Sequence, residues 1–231
     1  MPPRPVPSQG PPAWTALDEY LWHTCEIVAD VVQGQLDRRP LVATVAPLPS
    51  GDRALATGPA RSYRWRALGN GSYHHNQVVA AGPPAFVIGS LLGAAVGNSS
   101  RRREAARNAQ PRWVAEVSGE VTVSREGAFI VHPVRPAGSV VLYWSGLDFI
   151  DLVAPDVFQT TYISTANNQV AMRIATPWAS LMFALAALTR FPAHPRLLGR
   201  GWLPPGFEQR SAAIGRPCRP AADLVLGGGG T

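Results

Sequence analysis

The chain has 231 residues, and its 21 basic residues are all arginine, set against 15 acidic residues for a formal net charge of +6. A hydrophobic fraction of 46% excludes wholesale disorder, and two cysteines, Cys25 and Cys218, exclude a disulfide framework and a four-cysteine zinc site. The length allows one large domain or two small ones with ample core.

Residues 1–13 hold six prolines and are expected to form an extended, solvated tail. No apolar run follows Arg4, so this stretch does not read as a secretory signal. Residues 14–40 carry a helix over Thr15 to Leu36, in which Leu17, Leu21, Ile27, Val28, Val31 and Val32 recur near helical spacing. Thr15 with Asp18 is a short-side-chain capping box, and Pro40 reads as the stop.

From Arg53 the period changes. Ala54 to Thr57 and Arg61 to Ala67 read as strands, Gly69-Asn70-Gly71 as a tight turn, and Ser72 to Val79 as the returning strand. A second β region opens at Trp113. Trp113, Ala115 and Val117 alternate with polar residues, followed by Val121 and Val123, then Ala128 to His132, Ser139 to Trp144 and Leu147 to Val153. Val157 to Ser164 and Gln169 to Ala175 are joined at Asn167-Asn168. Short strands with few residues between them predict an antiparallel meander. Thr176-Pro177 then predicts an N-cap and first helical position for an apolar helix too short to cross a bilayer, which must be buried against the sheet. Residues 191–231 are rich in proline and glycine and are expected as a second tail, pinned to a surface by Trp202, Leu203 and Phe207.

Val121-Thr122-Val123-Ser124 leading into Ala128-Phe129-Ile130-Val131, then Val141-Leu142-Tyr143-Trp144 with Leu147, and finally Arg173-Ile174 before Thr176-Pro177 give the chain a recognisable texture. Together with Gly51 to Gly58 as an opening strand, this resembles the bacterial pleckstrin-homology-like proteins and the related GRAM domains. The resemblance covers residues 45–190 and implies an α+β fold. That fold is an antiparallel meander or partly open barrel closed by a C-terminal helix, here with an N-terminal helix and a helical insertion at about 82–110. It also implies a docking platform in place of a catalytic site. Eukaryotic lipid-binding members carry a basic cluster on the loop between their first two strands. The corresponding loop reads here as Gly58-Pro59-Ala60-Arg61, which has no such cluster.

The insertion stands out. Val78 to Gly97 is uncharged and is split by Pro83-Pro84. Beyond the prolines, Ala85, Gly89, Gly93 and Gly97 recur every four residues. Each mid-helix glycine costs roughly 1 kcal/mol relative to alanine, so close helix–helix approach is the expected compensation. Arg101, Arg102 and Arg103 follow at once, with Arg107 and Arg112 soon after, a pattern suited to an anionic surface. Three readings stand for this segment: a helix packed on protein, a helix dipping into a membrane surface, and a single span at 78–97. The helix after the prolines is short for a span.

Catalytic chemistry is not legible. His74 and His75 would point to opposite strand faces, as would Asp148 and Asp151, and no nucleophile elbow, phosphate loop or zinc spacing occurs. No catalytic residue, cofactor or metal site is therefore assigned. The expected protein is a cytoplasmic, non-catalytic docking protein, peripheral at the inner membrane face, whose partner is another protein, a second copy or an anionic membrane. Nucleic acid has only net charge in its favour. The rivals are an integral protein with one span and an enzyme whose site, around His132 or Asp151, is assembled only in three dimensions. The glycine spacing generates one test: Gly93→Leu is expected to abolish self-association, read as a change of mass in light scattering after gel filtration. An unchanged mass would sink the packing argument.

Overall fold

The computed structural model describes residues 13–69, 103–132, 134 and 139–219. The chain divides into two compact units, one of Met1–Tyr63 with Glu116–Thr231 and one of Arg64–Ala115. Among the described residues the architecture is α+β, with a seven-stranded antiparallel open sheet. The strands are β1 (Ala54–Arg66), β2 (Arg112–Ser124), β3 (Gly127–Val131), β4 (Val140–Tyr143), β5 (Leu147–Ala154), β6 (Val157–Ile163) and β7 (Gln169–Ala175). Their spatial order is β4-β3-β2-β1-β7-β6-β5. The two strands at the ends of that order, β4 and β5, are neighbours in sequence, joined by the 3-10 turn Trp144–Gly146.

Local chemistry explains the turns. Between β2 and β3, the Ser124 hydroxyl accepts from the Glu126 and Gly127 amides at 3.2 and 3.0 Å and donates to the Gly127 carbonyl at 3.1 Å. Gly127 is required there, since an added Cβ would sit 2.4 Å from the Leu142 carbonyl oxygen. Asn167 adopts a φ of 58° in the turn between β6 and β7, the left-handed conformation asparagine tolerates. Trp144, fully buried in the turn after β4, donates through its indole N–H to the Ser124 carbonyl at 3.4 Å.

The first helix, α1 (Ala16–Val32), has the expected capping box: the Asp18 amide donates to Thr15 Oγ1 at 3.2 Å, and the Thr15 amide to Asp18 Oδ2 at 2.9 Å. It ends earlier than expected. Gly34, at a φ of 66°, turns the chain before Pro40 is reached, and a 3-10 turn follows at Leu36–Arg38. The apolar helix α2 (Ala179–Arg190) also starts later than expected. Trp178 is its N-cap, while Thr176 accepts from the Trp178 amide with its hydroxyl and from the Ala179 amide with its carbonyl. Pro177 thus lies in the turn before the helix.

Every residue from Ala179 to Ala187 is buried. Helix α2 contacts β3, β5 and β6, the turn at Trp144, and α1. The core joins Phe183, Met182 and Leu185 to Leu21, Cys25 and Val28 of α1 and to Val121, Ile130, Ile150, Phe158, Met172 and Ile174 of the sheet. Trp178 binds three elements together. Its indole N–H donates to the Thr57 carbonyl at 2.8 Å, its ring lies edge-on to Tyr20 at 4.8 Å, and Gly58 leaves it room, since a Cβ there would meet Nε1 at 2.9 Å.

Two sequence expectations need correction. Gly58-Pro59-Ala60-Arg61 is not a loop, because β1 runs unbroken through it with Pro59 exposed. Residues 191–219 are not a loose tail either. They form helices α3 (Pro195–Leu198) and α4 (Phe207–Ala213), and Leu197, Trp202, Leu203 and Phe207 enter the core. Arginines then fix this segment to α1. Arg210 pairs with Asp18 at 3.1 Å, Arg216 with Glu19, and Arg219 with Glu26 at 2.7 Å and with Asp30 at 2.8 Å, where Arg39 joins at 2.6 Å.

Burial alone pushes the Asp30 carboxyl up, but hydrogen bonds from Arg39 and Arg219 outweigh it and hold it below the usual carboxylate range. At Asp18 burial is likewise outweighed, by the Thr15 hydroxyl and amide and by Arg210. A carboxylate lowered by folding contributes stability that is complete above its unfolded value of about 3.9 and is lost as pH falls through the folded value. Asp30→Asn is therefore expected to cost on the order of 1–3 kcal/mol at neutral pH and much less near pH 2, as read by urea unfolding. An equal cost at both values would contradict the pairing. Phe183→Ala, which empties the centre of the core, is expected to cost about 3–5 kcal/mol independently of pH. A change under 1 kcal/mol in the same urea titrations would contradict its central place.

Candidate functional site

The unit of Arg64–Ala115 contains the distal ends of β1 and β2 and a helical segment at residues 103–109. The Leu68 and Gly69 amides both donate to the Asn108 carbonyl, at 2.8 and 3.0 Å, which satisfies an acceptor at the helical segment's C-terminal end. Arg112 completes that end from the side. Its guanidinium donates to the Arg107 carbonyl at 3.0 Å and to Asn108 Oδ1 at 3.1 Å. A cation at a helix C-terminus also complements the helix dipole. The Trp65 and Trp113 rings meet at 5.4 Å with a tilt of 59°.

Of the expected anionic-surface residues, Arg103, Arg107 and Arg112 are described and exposed. Arg101 and Arg102 lie outside the described residues, as do the helix-packing positions Ala85, Gly89, Gly93 and Gly97. The histidine pair His74-His75, the strand expected at Ser72 to Val79 and the last two residues of the turn at Gly69-Asn70-Gly71 lie outside as well. The structure adds two residues that sequence reasoning passed over. Trp65 is 48% exposed and Leu68 50% exposed, beside the exposed Arg66. An aromatic residue set between Arg64 and Arg66 was the available signal.

Among the described residues β1 is followed in sequence by its sheet neighbour β2, and the residues between them, 67–111, include the positions of the glycine-spaced run and of Arg101, Arg102, Arg103 and Arg107.

In the larger unit, a cleft of about 700 Å³ opens between α1, β1, β2 and the end of β7. Tyr20, Arg61, Ser118, Asp156 and Thr176 supply its polar groups, and Arg61 Nε donates to Ser118 Oγ at 3.2 Å. Its lining has neither histidine nor cysteine. The residues named for a three-dimensional catalytic site do not line this cleft. His132 Nδ1 accepts from the Val134 amide at 3.1 Å, and Asp151 pairs with Arg196 at 2.9 Å. The two aspartates of β5 require one correction. A bulge between Leu147 and Phe149 turns Asp148 and Phe149 both outward, so Leu147 and Ile150 are buried and Asp148 and Asp151 share the outer side. Asp151 is already engaged by Arg196.

Among the described residues, no group of three His, Cys, Asp or Glu side chains is placed to hold a metal ion, and no helix is long and apolar enough to cross a membrane. No protein-family model matches the chain, and no similar curated protein is found.

Proposed function

We propose that the protein is a non-catalytic docking platform of the pleckstrin-homology-like, GRAM-like kind, which contacts an anionic membrane surface at the inner membrane face through the connection between β1 and β2. One observation carries this reading. With β1 ending at Arg66 and its sheet neighbour β2 beginning at Arg112, the stretch between these two described strands holds Arg101, Arg102, Arg103 and Arg107. That is where the lipid-binding members of the resembled family carry their basic cluster. Two meanders of antiparallel strands, followed by one apolar helix that packs on strands from both halves of the sheet, support the same family reading.

The chemistry suits a surface contact. Residues 101–112 hold five arginines and one glutamate, a local charge of +4 in a chain of +6. A basic side chain near an anionic leaflet contributes about 1 kcal/mol, and the attraction fades within a Debye length. Exposed Trp65 and Leu68 add apolar area that pure electrostatics would not require. Self-association through the glycine-spaced run is compatible with this contact and would multiply it.

Flotation of the full chain with vesicles tests the proposal. Binding is expected with phosphatidylcholine–phosphatidylserine vesicles, little with phosphatidylcholine alone, and less at high salt. Replacing Arg103 and Arg107 together by Ala should cost about 2 kcal/mol, roughly thirtyfold in partitioning. Absence of flotation on both compositions, or binding indifferent to salt and to the double variant, would overturn it.

A further inference from the structure

The chain's two cysteines are 193 positions apart by their numbers, 25 and 218, and Cys218 packs against the core cluster that contains Cys25. Cys25 lies in the core on α1 with 1% exposure, and Cys218 is partly exposed in the segment after α4. The two thiols perturb each other's titration, Cys218 downward and Cys25 upward. Cys218 Sγ also donates to Ser211 Oγ at 3.6 Å, while the Ser211 hydroxyl donates to the Arg216 carbonyl. Both are free thiols.

The approach is enforced from both sides. Two residues before Cys218, Arg216 pairs with Glu19 and lies 5.3 Å from the centre of the Trp22 ring. One residue after it, Arg219 holds Glu26 through two nitrogens at 3.0 and 2.7 Å, and Asp30 through a third at 2.8 Å. Trp22, Glu26 and Asp30 recur every fourth residue on α1, and Cys25 is one residue before Glu26. The segment around Cys218 is therefore strapped across α1 at the level of Cys25. We propose that Cys25 and Cys218 are a redox pair, closed to an internal disulfide by a low-molecular-weight disulfide such as oxidised glutathione.

Geometry assigns the order of events. Cys218 is the sulfur a reagent can reach, and Cys25 is buried behind it. The neighbouring Cys25 thiol, opposed by partial burial and helped by Ser211, lowers the Cys218 thiol to about 7, whereas Cys218 and burial push Cys25 up. A thiolate with a value near ambient pH is an effective attacking sulfur. The Cys218 thiolate attacks one sulfur of the glutathione disulfide, and the other leaves as a thiolate that takes up the Cys218 proton. Cys25 then gives its proton to solvent and attacks Cys218 Sγ, which expels the second glutathione. Two protein thiols are oxidised and one glutathione disulfide is reduced to two thiols. Closing to a bond of about 2.0 Å requires the Cys218 segment to shift toward α1. The irregular segment 214–219 can supply it, whereas the middle of α1 cannot.

The experiment uses the folded full chain with excess glutathione disulfide, an alkylating quench, then denaturation and peptide mass spectrometry. The free-thiol count is expected to fall from two to none, with the loss of two hydrogens, a cross-linked peptide pair containing residues 25 and 218, and full reversal by dithiothreitol. Cys25→Ser should stop at a glutathione adduct on Cys218. Arg219→Ala should accumulate that adduct and close several-fold more slowly, a delay that would not follow if Arg219 merely stabilised the fold. The oxidised chain should also unfold at higher urea than the reduced chain. The proposal is overturned if the wild type ends as a stable Cys218 adduct with Cys25 alkylatable after denaturation. It is overturned equally if the linkage forms between chains, or if both thiols survive under conditions that oxidise the urea-unfolded chain.

Discussion

A helix with no polar face has to be surrounded. Nothing between Ala179 and Ala187 can face water, so α2 requires apolar cover on every side. The sheet supplies part of it from β3, β5 and β6, the strand-joining turn at Trp144 supplies more, and α1 supplies another side. The residues that do this are large and fully buried, among them Trp144, Phe158, Leu21 and Ile150. Trp178 sets where the helix begins, because its indole is held by the Thr57 carbonyl and fits only against a residue with no side chain, Gly58. The C-terminal segment follows from the same need. Leu197, Trp202, Leu203 and Phe207 join the core that α2 nucleates, which makes ordered structure out of a composition rich in proline and glycine.

Two sets of arginines stand in contrasting surroundings. Arg39, Arg210, Arg216 and Arg219 are committed to carboxylates of α1. Guanidinium suits this use, since its forked donors can serve two carboxylates at once, as Arg219 does for Glu26 and Asp30. Asp18 and Asp30 are mostly buried, so these pairs act more as locks on position than as large stabilisers: loss of one partner strands the other charge. Arg103 and Arg107 belong to the second group. They are exposed on a short helical segment whose end is completed by Arg112 and by the Leu68 and Gly69 amides. The overall charge of +6 is therefore a poor guide to the surface, and its distribution is the useful quantity.

Patterns that depend on neighbours a few residues away were legible. The Thr15–Asp18 box, the turn at Asn167 and the strands β5, β6 and β7 follow from local sterics and hydrogen bonding, and the structure has all of them. Reasoning failed where a local rule was outvoted. Gly58-Pro59 punctuates a chain in isolation, yet here the missing Cβ admits Trp178 and the proline faces solvent inside one long strand. The bulge beside Asp148 broke the simple alternation that set the two aspartates on opposite faces. The prolines after Phe191 read as a tail because nothing nearby in sequence reveals that Trp202 and Phe207 have a core to enter. At the surface, the arginine cluster was evident from composition, but the exposure of Trp65 and Leu68 was not.

The sequence by itself determined the β-rich character of the middle, the buried nature of the helix after Thr176, and the place where positive charge concentrates, because periodicity and charge are properties of the chain. Only the tertiary structure decided the strand order with β1 at its centre and the strap of arginines across α1. It alone packed Cys218 against the core that holds Cys25. Each of these joins residues far apart along the chain, and such pairings are selected by which apolar surfaces and charges can be satisfied together, a condition that no local stretch contains.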